Sequence, residues 1–252
     1  MPLAAFDLEI AKEVPDDDRD WLRHGPVGIS CAALIRDGVD SEPLVMFDPH
    51  SSPHLFDPAT KAITPHGAGL IVDALASAVE QGFTIVSWNG LGFDFPLLAL
   101  ESGLRRQCVQ LALDSIDMMF QLVCVNGYML SLDTALAGTR LQGKIHTVRL
   151  NDGHEAPIGG REAPSLWRAG EYQAVMQYCA GDVRQTLSLA LECQRRHSLA
   201  WTSRRGKPAR MDVGRRWLTV RECMALPEPD TSWMPDPVKR QSFVSWMGEP
   251  VS

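Results

Sequence analysis

Two carboxylates, Asp7 and Glu9, stand two positions apart in the opening run Met1-Pro2-Leu3-Ala4-Ala5-Phe6-Asp7-Leu8-Glu9-Ile10. In an extended strand, residues i and i+2 point to one face, so both acids leave the sheet together while Leu8 points the other way into a core. Carboxylates held side by side repel, and a shared proton or a bound cation resolves the conflict. Asp-x-Glu alone is common and usually marks a solvated strand end. A second acid, Asp94, follows a two-glycine turn in Trp88-Asn89-Gly90-Leu91-Gly92-Phe93-Asp94-Phe95-Pro96. Open α/β sheets place their ligands at such turns. Asp before a first-turn Pro also serves as an N-cap, and both roles can hold. A third segment, Tyr178-Cys179-Ala180-Gly181-Asp182, sets a Tyr and an Asp four apart, on one face if the path is helical. By itself it reads as a core Tyr and a surface Asp.

The surrounding pattern supplies elements to carry these groups. Strands are expected at Val27–Ile35, Leu44–Phe47, Phe83–Trp88 and Leu111–Ile116, beside the opening strand. The apolar spacing over Gly67–Gln81 has the helical period, closed by Gly82. Further helices are expected after Pro96, from Asp117 to Val125, from Ser131 to near Gly138, and over Glu171–Tyr178 and Asp182–Arg195. Asp48–Pro65 reads as an exposed loop, although its His50 and His54 lie beside Asp48 and Asp57. Gln142–Gly170 is interrupted by Gly and Pro and reads as an irregular loop carrying Lys144, His146, Arg149, Arg161, Arg168 and Trp167. Beside the site, such a loop would hold backbone phosphates and stack a base. After Trp201 the chain turns basic and then Pro-rich, as an extension wrapped on the main domain, with a short helix over Val238–Met247 docking Phe243 and Trp246.

Bulk properties narrow the class. The 252 residues are 45% apolar, and no apolar run approaches the roughly 20 residues of a membrane span. Without a basic and then apolar leader, the expectation is a cytoplasmic protein away from membranes. Six cysteines without a C-x-x-C pair suit free thiols in a reducing compartment. The net charge is −7, but its distribution is uneven. Asp16, Asp17, Asp18 and Asp20 crowd the first part. From Arg195 to Arg221 the cations Arg195, Arg196, Arg204, Arg205, Lys207, Arg210, Arg215, Arg216 and Arg221 face only Asp212. An acidic site with a basic flank suits a phosphate backbone approaching bound metal, and a solvated basic surface is an equal account of the flank alone.

Together, Phe6-Asp7-Leu8-Glu9, Asn89-x3-Phe93-Asp94-x-Pro96 and Tyr178-x3-Asp182 resemble the three exonuclease motifs of the DEDD superfamily. That superfamily includes the 3′–5′ proofreading domains of DNA polymerases and has a ribonuclease H-like fold. The resemblance spans residues 1 to about 195. The second motif looks most like that of family B polymerase exonuclease domains. Gln177, where one branch carries His, points to the tyrosine branch, DEDDy.

The resemblance implies an α/β chain: a ribonuclease H-like mixed sheet flanked by helices over residues 1–200, with residues 201–252 as a C-terminal extension lacking a counterpart. It implies two divalent cations, Mg²⁺ or Mn²⁺, roughly 4 Å apart, activating water and holding the leaving 3′ oxygen. Asp7 would bridge them, Glu9 and Asp182 would complete the first site, and Asp94 would support the second through water. Tyr178 would orient the attacking water. Leu8, Asn89 and Phe93 would hold the terminal nucleotide, with Lys144 and Trp167 as further substrate contacts. The expected partner is the 3′ end of single-stranded DNA or RNA, cleaved to nucleoside 5′-monophosphates, with any polymerase or repair partner unspecified. Two rivals stand beside this: a binding module of the same fold with weak or no catalysis, and a metal-dependent phosphatase or nucleotide hydrolase.

Overall fold

In a computed structural model, which describes residues 1–14 and 25–248, the opening segment is the central strand of the main sheet. The acidic run Asp16–Asp18 with Asp20 lies outside the described residues. Strand β1 (Leu3–Ile10) pairs antiparallel with β2 (Ile29–Arg36), which pairs antiparallel with β3 (Leu44–Met46). Helix α1 (Pro65–Glu80), capped by the Thr64 hydroxyl accepting from the Gly67 N–H, leads to β4 (Thr84–Ser87). Strand β4 lies parallel to β1 on its other side. Next come α2 (Asp94–Ser102), α3 (Arg105–Asp114) and β5 (Ile116–Asp117), the last parallel to β4. The order β3-β2-β1-β4-β5 is a five-stranded mixed sheet flanked by helices, the mixed α/β class expected.

Layering explains the composition of β1. A strand covered on both faces loses the polar-out alternation, and every residue of β1 except the half-buried Asp7 is buried. Small residues face it on β2: Asp7 sits opposite Ala33 and Glu9 opposite Cys31. The register shifts between Glu9 and Ile10, a bulge at the end of the strand that carries the acids.

Beyond β5, α4 (Met118–Asn126) is capped by Asp117 and α5 (Leu132–Thr139) by Ser131, both as expected. Three expectations are corrected. Leu111–Ile116 is not a strand: α3 runs to Asp114, because Cys108 and Ala112 form a buried helical face, and β5 begins only at Ile116. Gln142–Gly170 is not irregular. It folds as a hairpin of β6 (Thr147–Arg149) and β7 (Glu155–Pro157), followed by α6 (Glu162–Ala169). The two helices expected around Gly181 are one, α7 (Tyr172–Arg196), which packs across β1 and β2.

The remaining chain forms the hairpin β8 (Ser198–Thr202) and β9 (Pro208–Asp212), helix α8 (Val220–Met224) and the short α9 (Gln241–Val244). The hairpin lies so close to α5 that a Cβ on Gly138 would stand 2.0 Å from the Ala200 carbonyl oxygen. Trp217 is wholly buried and donates to the Ala190 carbonyl at 3.0 Å. Phe243 packs on Phe120 at 5.4 Å, and the Trp246 indole donates to the Leu91 carbonyl at 2.9 Å. All six cysteines are buried and unpaired. Among the described residues no helix is long and apolar enough to cross a membrane.

Candidate metal-binding carboxylate site

Strand β1 and helix α7 bring the first and third sequence segments together. Asp7, Glu9 and Asp182 each offer a carboxylate oxygen, and these three oxygens lie within 4.8 Å of one another. Helix continuity through Gly181 is what sets Tyr178 and Asp182 on one face, one turn apart. A Cβ there would come 2.6 Å from Ile145 Cδ1, so Gly181 lets the Ile145 side chain lie close against the helix. That close approach carries the 140s segment over the acids.

The second segment arrives differently from the expected N-cap. Phe93 takes the cap position, and Asp94 is the first residue of α2. Its Oδ1 accepts the Leu8 N–H at 3.0 Å, which fastens it to β1 between Asp7 and Glu9. Asp94 is not one of the three residues whose oxygens cluster within 4.8 Å. The turn that presents it is braced by Asp117, whose carboxylate accepts the N–H groups of Asn89 (3.1 Å), Leu91 (2.9 Å) and Phe120 (3.0 Å). Asn89 adopts φ 69°, and a Cβ on Gly90 would collide with the Ser87 hydroxyl at 2.3 Å. The brace function of Asp117 goes beyond the helix cap its sequence position suggests.

Lys144 is the largest departure from the sequence reading. Its ammonium does not reach outwards to phosphates. It lies 2.6 Å from Asp182 Oδ2, donates to the Tyr178 hydroxyl at 2.7 Å, and sits over the Tyr178 ring at 4.9 Å. The segment is held in place by the Lys144 N–H donating to Asp133 Oδ1 and by Gln185 donating to the Gly143 carbonyl. No sequence signal links position 144 to position 182.

The electrostatics are those of too many acids in too little water. Burial, then Asp94, Asp182 and Glu9, push Asp7 well above the carboxylate range, with Lys144 opposing. Burial and Asp182 do the same to Glu9. Burial raises Asp94 to about 7, despite the Leu8 N–H, and raises Asp182 against the pull of Lys144. Burial works against the charge of Lys144, but Asp182, Asp7 and Glu9 together outweigh it and raise the ammonium's pKa. Tyr178 is raised by burial and by the Glu9, Asp182 and Asp7 charges, so its hydroxyl stays protonated.

A divalent cation fits this donor set. Three hard carboxylate oxygens converge, and the buried Asp182 Oδ1 has no hydrogen-bond partner. No other His, Cys, Asp or Glu cluster of this geometry occurs among the described residues. His50 instead packs edge-on against Tyr172 at 5.4 Å. A cavity of about 750 Å³ has Ile10, Glu13, Phe93, Arg161, Glu162 and Ser165 in its wall. Ile10 follows Glu9 and Phe93 precedes Asp94 in the chain, but Asp7, Glu9, Asp94 and Asp182 are not part of the cavity wall.

Two expected substrate contacts do not hold as side-chain contacts. Trp167 is wholly buried, donates to the Lys61 carbonyl at 2.8 Å and packs against Phe56 and Tyr172. The helix α6 turned it inwards, where no base can stack. Leu8 is buried, and its N–H already serves Asp94. Asn89 and Phe93 are half-buried on the turn beside the site.

No family model and no curated protein matches this chain. Among solved structures it is similar to an apo Exonuclease I, at 14% identity and TM-score 0.37, over 77% of this chain and 42% of that one. A moderately thermophilic Exonuclease I from Methylocaldum szegediense gives 14% identity and TM-score 0.32, over 77% and 40%. The chain thus spans about two fifths of the length of those neighbours. Likeness of this degree identifies no family.

Proposed function

We propose that the chain is a divalent-cation-dependent 3′–5′ exonuclease acting on single-stranded nucleic acid. The observation that carries the reading is the convergence of the Asp7, Glu9 and Asp182 carboxylates, with one buried oxygen of Asp182 lacking a hydrogen-bond partner. Strand polarity and release of nucleoside 5′-monophosphates rest on the three-motif resemblance.

Asp7, Glu9 and Asp182 would hold Mg²⁺ or Mn²⁺ directly, with Asp94 in support of a second ion. The bound ions supply activation of the attacking water and charge stabilisation at the leaving 3′ oxygen. The chain's own residues do the rest. Tyr178 keeps its proton, so it orients the water by hydrogen bonding and does not act as a base. Lys144 fixes the Tyr178 hydroxyl and offsets one carboxylate of the cluster. Phe93 and Ile10 offer the apolar wall against which the terminal nucleotide packs, which excludes water from one side of the scissile bond.

The test uses 5′-labelled single-stranded DNA and RNA with Mg²⁺, Mn²⁺ or EDTA, resolved on a sequencing gel. A cation-dependent ladder shortening from the 3′ end is expected. Intact oligonucleotides alongside hydrolysed mononucleotides would move the assignment to a small-molecule hydrolase. Binding without any turnover would move it to a binding module.

A further inference from the structure

The basic stretch after α7 divides into two kinds of cation. Arg195 and Arg196 pair with Glu192, Arg216 with Glu222, and Arg221 with Asp114. Arg204, Arg205 and Lys207, at the tip between β8 and β9, are exposed and have no side-chain partner among the described residues. The tip is a closed turn: Gly206 at φ 73° donates to the Ser203 carbonyl, and Ser203 donates to the Lys207 carbonyl, both at 2.8 Å. Three cations are therefore held on a closed turn with no side-chain partner among the described residues.

An aromatic series starts at the foot of that hairpin. Trp201 on β8 is buried and meets Tyr128 edge-on at 6.2 Å, and Tyr128 meets Trp233 at 6.4 Å. Trp233 is 67% exposed, alone among the described tryptophans in being exposed. The acids near it are engaged: Glu228 lies 3.6 Å from Arg240, and Asp230 accepts the Ser232 N–H. Two residues beyond Tyr128, the Leu130 carbonyl accepts from the Trp88 indole at 3.3 Å, at the start of the turn that carries Asn89, Phe93 and Asp94. Tyr128 thus links Trp233 to the hairpin that carries the tip cations, and the neighbouring Leu130 links the same segment to the turn that carries Asp94.

We propose that Trp233 and the tip cations Arg204, Arg205 and Lys207 form a second binding surface for single-stranded nucleic acid, holding the strand upstream of the end that enters the acidic site. The reading of that site as a 3′ nuclease sets which end is upstream. The binding itself does not depend on it. Trp233 offers a π-face to an unpaired base, and the cations take phosphates without reading sequence.

The experiment measures fluorescence anisotropy of labelled (dT)20, (rU)20, (dT)4 and a 20-base-pair duplex in EDTA, so that cleavage plays no part. The expected result is that Trp233→Ala weakens (dT)20 and (rU)20 by about tenfold, the scale of one lost base–aromatic stack, with little effect on (dT)4. Arg204→Ala with Arg205→Ala should lower the slope of log K against log salt by about 1.4, at about 0.7 per lost phosphate contact. Native affinity and native salt slope in both variants would overturn the surface, as would a duplex bound as tightly as (dT)20. Circular dichroism and melting unchanged by the substitutions tie any loss to the surface rather than to folding. Loss of long-strand binding in these variants, with no cleavage by the native protein, would leave the surface standing and remove the nuclease reading.

Discussion

Two buried carboxylate nodes share one sheet and are treated in opposite ways. Asp117, at the β5–α4 junction, accepts N–H groups from Asn89, Leu91 and Phe120, and these bonds pull against the rise that burial causes. At the β1–α7 contact, burial is joined by repulsion among Asp7, Glu9, Asp94 and Asp182, and Asp182 Oδ1 has no partner. The first carboxylate is structural glue. The second group is a conflict of the kind that a shared proton or a bound cation relieves. Burial of an acid does not mark a functional site; unsatisfied like charge does.

The comparison can be broken most sharply at its two ends. Asp7→Ala or Asp182→Ala should cut cleavage by more than about a thousandfold, the scale of removing one electrostatic stabiliser of a transition state. Asp7→Ala should also leave the metal-free melting temperature unchanged or higher, because a repelled group is gone, whereas Asp182→Ala should lower it by leaving the Lys144 ammonium without its partner. Cleavage in Asp7→Ala at the native rate would remove the site assignment. Asp117→Ala should do the reverse to stability, lowering it by about 3 kcal/mol in urea unfolding because three N–H groups lose their acceptor. A stability loss equal to that of Asp7→Ala would erase the contrast.

A smaller effect is expected at Tyr178→Phe, where cleavage should fall by about a hundredfold, within the range for a group that assists proton transfer or orients water. Affinity for Mn²⁺, followed by titration, should barely change. A separate test is the pH dependence of the metal-free fold. Asp94 is raised from 3.8 to about 7, so the native state binds its proton more tightly than the unfolded chain. That contribution is complete below about pH 4 and is lost as pH rises towards 7. Urea midpoints measured from pH 4 to 8 should fall over this window, and saturating Mg²⁺ should flatten the fall.

The acids were legible because each signal is local. Alternation on a strand sets Asp7 and Glu9 on one face, and a four-residue spacing does the same for Tyr178 and Asp182. Their convergence followed from the resemblance of three separate segments. What escaped was tertiary. Gly181 breaks the apolar period of α7 and suggests two helices, yet the helix runs through it with the Ile145 side chain packed close against it. The same approach delivers Lys144 to Asp182, which no spacing reveals. Trp167 on a polar, Gly-rich stretch looked exposed, but α6 and the Lys61 carbonyl drew it inside. The tail of α3 resembled a strand because its last apolar residues, Leu111 to Leu113, are too few to show a helical period.

The measurement that bears most directly on the central claim is the titration of Mn²⁺ into metal-free protein, with the free ion counted by electron paramagnetic resonance. The account predicts saturable binding by the native chain and its loss in Asp182→Asn with the fold intact. Equal binding by Asp182→Asn, or none by the native chain, would contradict it.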